Sequence, residues 1–155
     1  MSAASLELSI IQQERVMNQI AKTLHTGKTR TTGGRDGGAA RSSDGLLDIR
    51  LSKTGSARIG TNPEQLFAAA WSVSFADAIA LAARKRNIML PAKVSIEAEV
   101  DLNLGETGHF LGARLNVTIL GLERKVAAEL TDEAGKLCPY SKATHGNVEV
   151  RVTLI

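Results

Sequence analysis

One segment limits the folds open to this chain more than any other: N-P-E-Q-L-F-A-A-A-W-S-V-S-F-A-D-A-I-A-L-A-A-R-K-R-N, from Asn62 to Asn87. Asn62 suits a helix N-cap, where its side-chain oxygen can accept from an unpaired amide. Pro63 fits the first helical position, and Glu64 adds an acidic residue to the first turn. The pattern predicts a helix running to about Asn87, with Phe67, Ala70, Trp71, Ala78 and Leu81 on a buried face. Ser74 lies among these residues, and a hydroxyl on such a face has to be accounted for. Aromatic residues are only 3% of the 155, so the core must be built from Leu, Ile, Val and many Ala. Alanine allows close helix packing but leaves little bulk per residue, which points to a subunit interface that finishes the burial. The length fits one domain, or one protomer of an intertwined oligomer.

Around this helix the patterning is mostly that of strands. Residues 1–20 carry Leu6, Ile10, Ile11 and Val16 at roughly helical spacing, which predicts a helical arm ahead of a single domain over 21–155. K-T-L-H-T-G-K-T-R-T-T reads as a Thr-rich strand, G-G-R-D-G-G (Gly33 to Gly38) as a turn, and G-L-L-D-I-R-L-S as a second strand. Val94, Ile96, Ala98, Val100, Leu102 and Leu104 alternate in a third strand, and Leu115, Val117 and Ile119 in a fourth. G-E-T-G-H between them looks like a hairpin connection. L-E-R-K-V-A-A-E-L-T-D-E-A-G-K-L is a second helix, with Val126, Ala127, Leu130, Ala134 and Leu137 on one face. C-P-Y-S-K-A-T-H-G-N breaks it, and V-E-V-R-V-T-L is a last strand. The order β-β-α-β-β-α-β is α+β with mostly antiparallel pairing.

Charge and cysteine content narrow the function classes. The formal net charge is +3, and A-R-K-R-N is the one basic cluster. It sits where a helix end favours cations, so no nucleic-acid partner is expected. No apolar run is judged long enough to span a membrane, and the N-terminus lacks a signal-peptide pattern; a cytoplasmic location is expected. Cys138, alone, excludes an internal disulfide.

Several chemistries can be set aside. His25, His109 and His145 are far apart and lack zinc-site spacing, so no metal is expected. The glycine-rich turn follows a strand without opening a helix, unlike a phosphate loop. Ser74 has no glycines around it of the kind a nucleophile elbow requires. A hydroxyl bonded back to the preceding turn is the simpler account. Cys138 falls at the end of the second helix, which does not lower a thiol pKa, so reactivity would need a cation from elsewhere. Arg35 could supply that cation or be a solvated turn residue, and Cys138 could equally be a small buried hydrophobe.

T-T-G-G-R-D-G, S-S-D-G-L-L-D, G-T-N-P-E-Q-L-F-A-A-A-W-S-V-S-F and C-P-Y-S-K-A-T-H-G-N-V-E-V-R-V closely resemble the organic hydroperoxide resistance proteins of the OsmC/Ohr family. The resemblance runs from about Ala21 to Ile155 and leaves out the arm. It implies an OsmC-like fold: an intertwined homodimer with antiparallel sheets wrapped around two central helices. It also implies a thiol peroxidase. A peroxidatic cysteine attacks the O–O bond of an organic or fatty-acyl hydroperoxide, and a second cysteine resolves the sulfenic acid to a disulfide. Dihydrolipoyl groups on proteins, or other thiols, then reduce that disulfide, and no cofactor is needed. Residue by residue, the resolving position is Cys138, the cation is Arg35 and its carboxylate partner is Glu64. Phe67 and Trp71 would face the organic part of the substrate.

The peroxidatic position is Ser74, and here the chain departs from its resemblance. The family usually reads G-Y-S-A-C-F where this chain reads A-W-S-V-S-F, Ala70 to Phe75. So many differences favour divergence over a single introduced replacement. A hydroxyl is far less acidic than a thiol and cannot pass through sulfenic acid to a disulfide. The expectation is a peroxidase scaffold whose two-cysteine cycle is impaired. The alternatives are a non-catalytic binder of apolar carboxylates or hydroperoxides, and a redox sensor built on Cys138. Glu64 and Ser74 should lie about 15 Å apart along one straight helix. Each site is therefore expected to be composite, with Glu64 of one subunit approaching Ser74 of the other.

Overall fold

The computed structural model describes residues 22–155; the expected helical arm lies outside them. Strands β1 (Thr29–Thr32), β2 (Ala39–Ser42) and β3 (Asp48–Arg50) form an antiparallel meander. Helix α1 spans Pro63–Lys85. Strands β4 (Ser95–Gly105) and β5 (Gly108–Thr118) make a long antiparallel hairpin. Helices α2 (Arg124–Leu137) and α3 (Pro139–Thr144) follow, and β6 (Glu149–Leu154) closes the chain. The fold is α+β, as expected, though the order is β-β-β-α-β-β-α-α-β.

Each difference from expectation has a local cause. The strand missed was β2, whose A-A-R-S has little β character of its own. It pairs because the glycine turn folds it back on β1, placing Thr32 opposite Ala39. The first strand is shorter than the Thr-rich run and begins at Thr29. Where a simple break was expected after Leu137, a second helix starts. Cys138 turns the chain with an extended backbone, φ −61° and ψ 122°, and Pro139 opens α3. β6 pairs parallel to β5, because α2 and α3 carry the chain back across the sheet before it re-enters.

The start of α1 is as the sequence predicts. Asn62 accepts from the Gln65 amide at 2.8 Å, with Pro63 at the first position. The buried face is rotated from the expected one. Trp71, Phe75, Ala78, Ile79, Ala82 and Ala83 are buried, whereas Leu81 and Val73 are exposed. The helix is apolar almost all round: between Gln65 and Ala83, Asp77 is its one charge. By length and composition alone α1 is long and apolar enough to cross a membrane, a test that the core helix of a folded domain also passes. In the fold one face of it packs against the β4–β5–β6 sheet and α2.

The sheet's inner face completes the core. Ala113, Leu115 and Val117 of β5 are buried opposite Val100, Ala98 and Ile96 of β4. From α2 come Ala127, Leu130 and Ala134. Burying a side chain such as Phe75 or Ile79 contributes about 1.5–3 kcal/mol, so the alanine-rich stripe depends on these few large residues. At the hairpin tip Leu102 and Leu104 remain exposed. The meander packs largely on itself, and a bridge between Leu51 and Thr61 ties its end to the loop before α1.

Candidate active site

Arg35 is placed by the turn between β1 and β2. Gly33 and Gly37 adopt left-handed φ values of 71° and 77°, which side chains resist. A Cβ on Gly38 would stand 2.3 Å from the Gly34 carbonyl oxygen. The turn is therefore a tight reversal that presents Arg35, not a phosphate cradle. Its guanidinium donates twice to the Glu64 carboxylate, Nη1 to Oε2 at 2.6 Å and Nη2 to Oε1 at 2.9 Å. Glu64 itself is fixed by the first turn of α1. The two planar groups meet in the fork geometry that suits Arg. The hydrogen bonds from Arg35 hold the Glu64 carboxyl below its ordinary range, and those to Glu64 raise Arg35. An open groove of about 660 Å³ adjoins the pair, lined also by Asn62, Gln65, Ala68, Val100 and Arg114. Arg114 is bound on that wall by Asp101 and Glu99.

The second pair lies further along α1. Cys138, at the joint between α2 and α3, is fully buried. Its thiol donates to the Ser74 hydroxyl at 3.6 Å. This corrects the simpler account of Ser74: it is Ser72 that bonds back to the preceding turn, through Ala69 O at 3.1 Å. Cys138 packs in the core as a small hydrophobe would, and it also faces the serine. Arg35 is engaged with Glu64 at the other end of this stretch and is not the partner of Cys138 within the chain. The helix between Glu64 and Ser74 is unbroken, so one chain keeps the two pairs about 15 Å apart.

Two features escaped the sequence. Trp71, expected to face substrate, is 1% exposed and donates its indole N–H to Ser141 Oγ at 3.2 Å. Phe67 is only partly buried and packs between Trp71 and Tyr140, with ring centroids 5.3 and 6.2 Å away. The hint was available, because a buried tryptophan N–H needs an acceptor. His25, His109 and His145 are exposed. Among the described residues no group of three or more His, Cys, Asp or Glu is placed to hold a metal ion.

The model of the family described as OsmC-like protein matches residues 53–153, a stretch that takes in Glu64, Ser74 and Cys138. The chain belongs to the OsmC-like family. Several of its relatives within that family are organic hydroperoxide resistance proteins. The one from Xanthomonas axonopodis pv. citri is 39% identical over 137 residues, 86% of this chain and 96% of its own. The crystal structure of OhrB of Bacillus subtilis matches with TM-score 0.80 and 40% identity, over 86% of this chain and 100% of that one. An organic hydroperoxide resistance protein from Legionella pneumophila, described as a predicted redox protein, matches with TM-score 0.80 and 39% identity, covering 86% and 98%. These likenesses establish the OsmC fold for this chain.

Proposed function

We propose that the protein is an organic hydroperoxide resistance-type scaffold whose peroxidatic position is Ser74 and whose resolving position is Cys138. The observation that carries this is the 3.6 Å contact between the Cys138 thiol and the Ser74 hydroxyl. Two positions 64 residues apart meet where a sulfenic acid and its resolving thiol would have to meet. In the two-thiol cycle a thiolate attacks the O–O bond, the alcohol leaves, and a sulfenic acid forms. A second thiol then displaces water and gives a disulfide. Serine oxygen cannot take the first step to an S–O intermediate, so the chain as written does not run this cycle. Arg35 would orient the peroxide, Glu64 would hold Arg35, and Phe67 would meet the organic group with Trp71 behind it.

The working unit in this proposal is a homodimer. Val73 and Leu81 are uncovered on one face of α1, with Asp77 between them, and the meander packs largely on itself. Two α1 helices packed antiparallel would cover that face and bring Arg35 and Glu64 of one subunit to Ser74 of the other. The reductant would be a dihydrolipoyl group on a protein or another thiol, and the setting a bacterial cytoplasm under oxidative stress.

The test follows loss of cumene hydroperoxide with dithiothreitol or dihydrolipoamide as reductant. The native chain should show no thiol-dependent turnover, and Ser74→Cys should acquire it. Turnover in the native chain that Cys138→Ala abolishes would replace this function with one-cysteine chemistry. The complete burial of Cys138 weighs against that sensor reading. Absence of turnover in both chains, with an apolar carboxylate co-purifying, would favour a binder using the groove beside Arg35.

A further inference from the structure

The contact between Cys138 and Ser74 depends on where the joint between α2 and α3 sits, and although that joint is packed against the core, few hydrogen bonds fasten it to α1. The Cys138 amide donates to the Ala134 carbonyl at 2.8 Å, and its own carbonyl accepts from Lys142 at 3.0 Å. Both bonds stay within α2 and α3, so neither fixes the joint to α1. Among the described residues, the one side-chain hydrogen bond from α1 to α3 is Trp71 Nε1–H to Ser141 Oγ, at 3.2 Å. Trp71 and Ser74 are three residues apart on α1, hence on neighbouring turns of one face. Cys138 and Ser141 are likewise three apart across the start of α3. The indole bond and the thiol contact are thus two parallel links between the same two surfaces.

We propose that Trp71 and Ser141 are positioning residues: their hydrogen bond sets α3 on α1 so that the sulfur of Cys138 is held against position 74. The proposal rests on the assignment of that pair as the peroxidatic and resolving positions. Deleting either partner has a different consequence. Ser141→Ala leaves a fully buried indole N–H without an acceptor, and α3 must shift to admit water or another partner. Trp71→Phe leaves a hydroxyl that is only partly buried and can turn to solvent, so its effect should be smaller.

The experiment uses Ser74→Cys as the parent and closes its thiol pair with Cys138 in two ways. In the first, diamide takes two electrons and two protons from the two thiols, leaving a disulfide and the hydrazine. This arm needs no peroxide chemistry. In the second, one equivalent of cumene hydroperoxide oxidises the introduced thiol to sulfenic acid and leaves the alcohol. Cys138 then competes with added dimedone for that sulfur, releasing water when it wins. Disulfide and dimedone adduct are counted by mass spectrometry.

Adding Ser141→Ala should slow disulfide closure by about 10-fold or more, since a misplacement near 1 Å can cost on the order of 100-fold in such a step. Trp71→Phe should slow it less, and Ser141→Thr, which keeps the hydroxyl, should restore the parent rate. The peroxide arm should shift from disulfide towards dimedone adduct in the same order. In Ser141→Ala the initial oxidation of the introduced thiol should be little changed, a split that general loss of structure would not produce. Equal diamide closure rates in the parent and Ser141→Ala would overturn the positioning role. So would failure of diamide to close the pair in the parent. Normal diamide behaviour without any peroxide consumption would leave the positioning role standing and overturn the peroxidase assignment instead.

Discussion

Arg35 and Glu64 meet at the start of α1 near the surface, whereas Ser74 and Cys138 meet in the core ten residues further along the same helix. The first pair is ionic and bidentate, and the Arg35 side chain is 44% exposed. The second is neutral, single and long, with the cysteine sealed from water. The difference follows from what each type of group tolerates. A guanidinium and a carboxylate keep their charges cheaply where water still reaches them, and need a rigid turn and a capped helix only for aim. A thiol and a hydroxyl enter a core at little cost once they face one another. One end of the candidate site is thus built to hold charge, and the other to hold a sulfur away from solvent. The peroxidase cycle proposed above would need both at once, and a single chain keeps them apart.

The largest expected effect concerns the buried pair. Ser74→Cys should raise hydroperoxide turnover by on the order of 10³-fold or more over the native chain, in line with what removing a nucleophile costs an enzyme. On that background Arg35→Ala should remove about 10²-fold, the scale of losing one fixed donor to developing negative charge. Steady-state assays with cumene hydroperoxide measure both. If Arg35→Ala leaves the restored activity unchanged, the exposed pair is not part of the site and the comparison reduces to two unrelated contacts.

A second experiment asks whether the two pairs combine across subunits. Ser74→Cys with Arg35→Ala in the same chain should be nearly inactive alone. Co-expressed with the native chain, which has Arg35 but no peroxidatic thiol, it should regain activity in the mixed dimer. The mixed dimer, separated by an affinity tag on one subunit, should turn over peroxide well above either parent dimer. If each site were built within one chain, mixing would restore nothing. Such a result would require Arg35 to move to its own Ser74, against the unbroken helix of the present structure.

How much of this was legible in the sequence depends on the range of the interactions. Asn62, Pro63 and Glu64 announce the start of α1 because capping is decided within four residues. The β4–β5 hairpin is written in its alternation. β2 is not, because A-A-R-S pairs only once the glycine turn has brought it to β1. The parallel addition of β6 depends on how α2 and α3 cross the sheet, which no local pattern records. In the candidate site the residues were legible one by one, through their likeness to a family. Their partition into an exposed and a buried pair was not. Nor was the bond from Trp71 to Ser141, which joins residues 70 positions apart. The exact face that α1 buries was read wrongly at Leu81, since an almost uniformly apolar helix carries little information about its own rotation.

The smallest expected effect, on stability, sharpens the contrast from the exposed side. The Glu64 carboxyl is lowered first by hydrogen bonding from Arg35 and further by its own backbone amide and the guanidinium charge; burial opposes the shift. A carboxyl whose folded pKa lies below its unfolded one binds a proton less readily when folded. Its contribution to stability is therefore fully present above the unfolded value, close to its ordinary 4.5. It is lost as pH falls through the lower folded value. The Arg35 guanidinium is raised further by the same contact, so it stays charged throughout and adds no pH dependence in this window. Urea unfolding of the native chain and Glu64→Gln between pH 3 and 7 should show a small difference near neutrality, because water still reaches the Arg35 side of the pair. That difference should shrink below pH 4.5 as Glu64 takes up its proton. Asp44, Asp48, Asp101 and Glu129 are lowered as well, so the native chain will lose stability in acid regardless, and only the difference between the two chains reports on Glu64. A difference that stays constant down to pH 3 would mean that Gln replaces the carboxylate at a cost unrelated to its charge. The ion pair would then be a matter of shape, and the exposed end of the site would resemble the buried one more closely than its chemistry suggests.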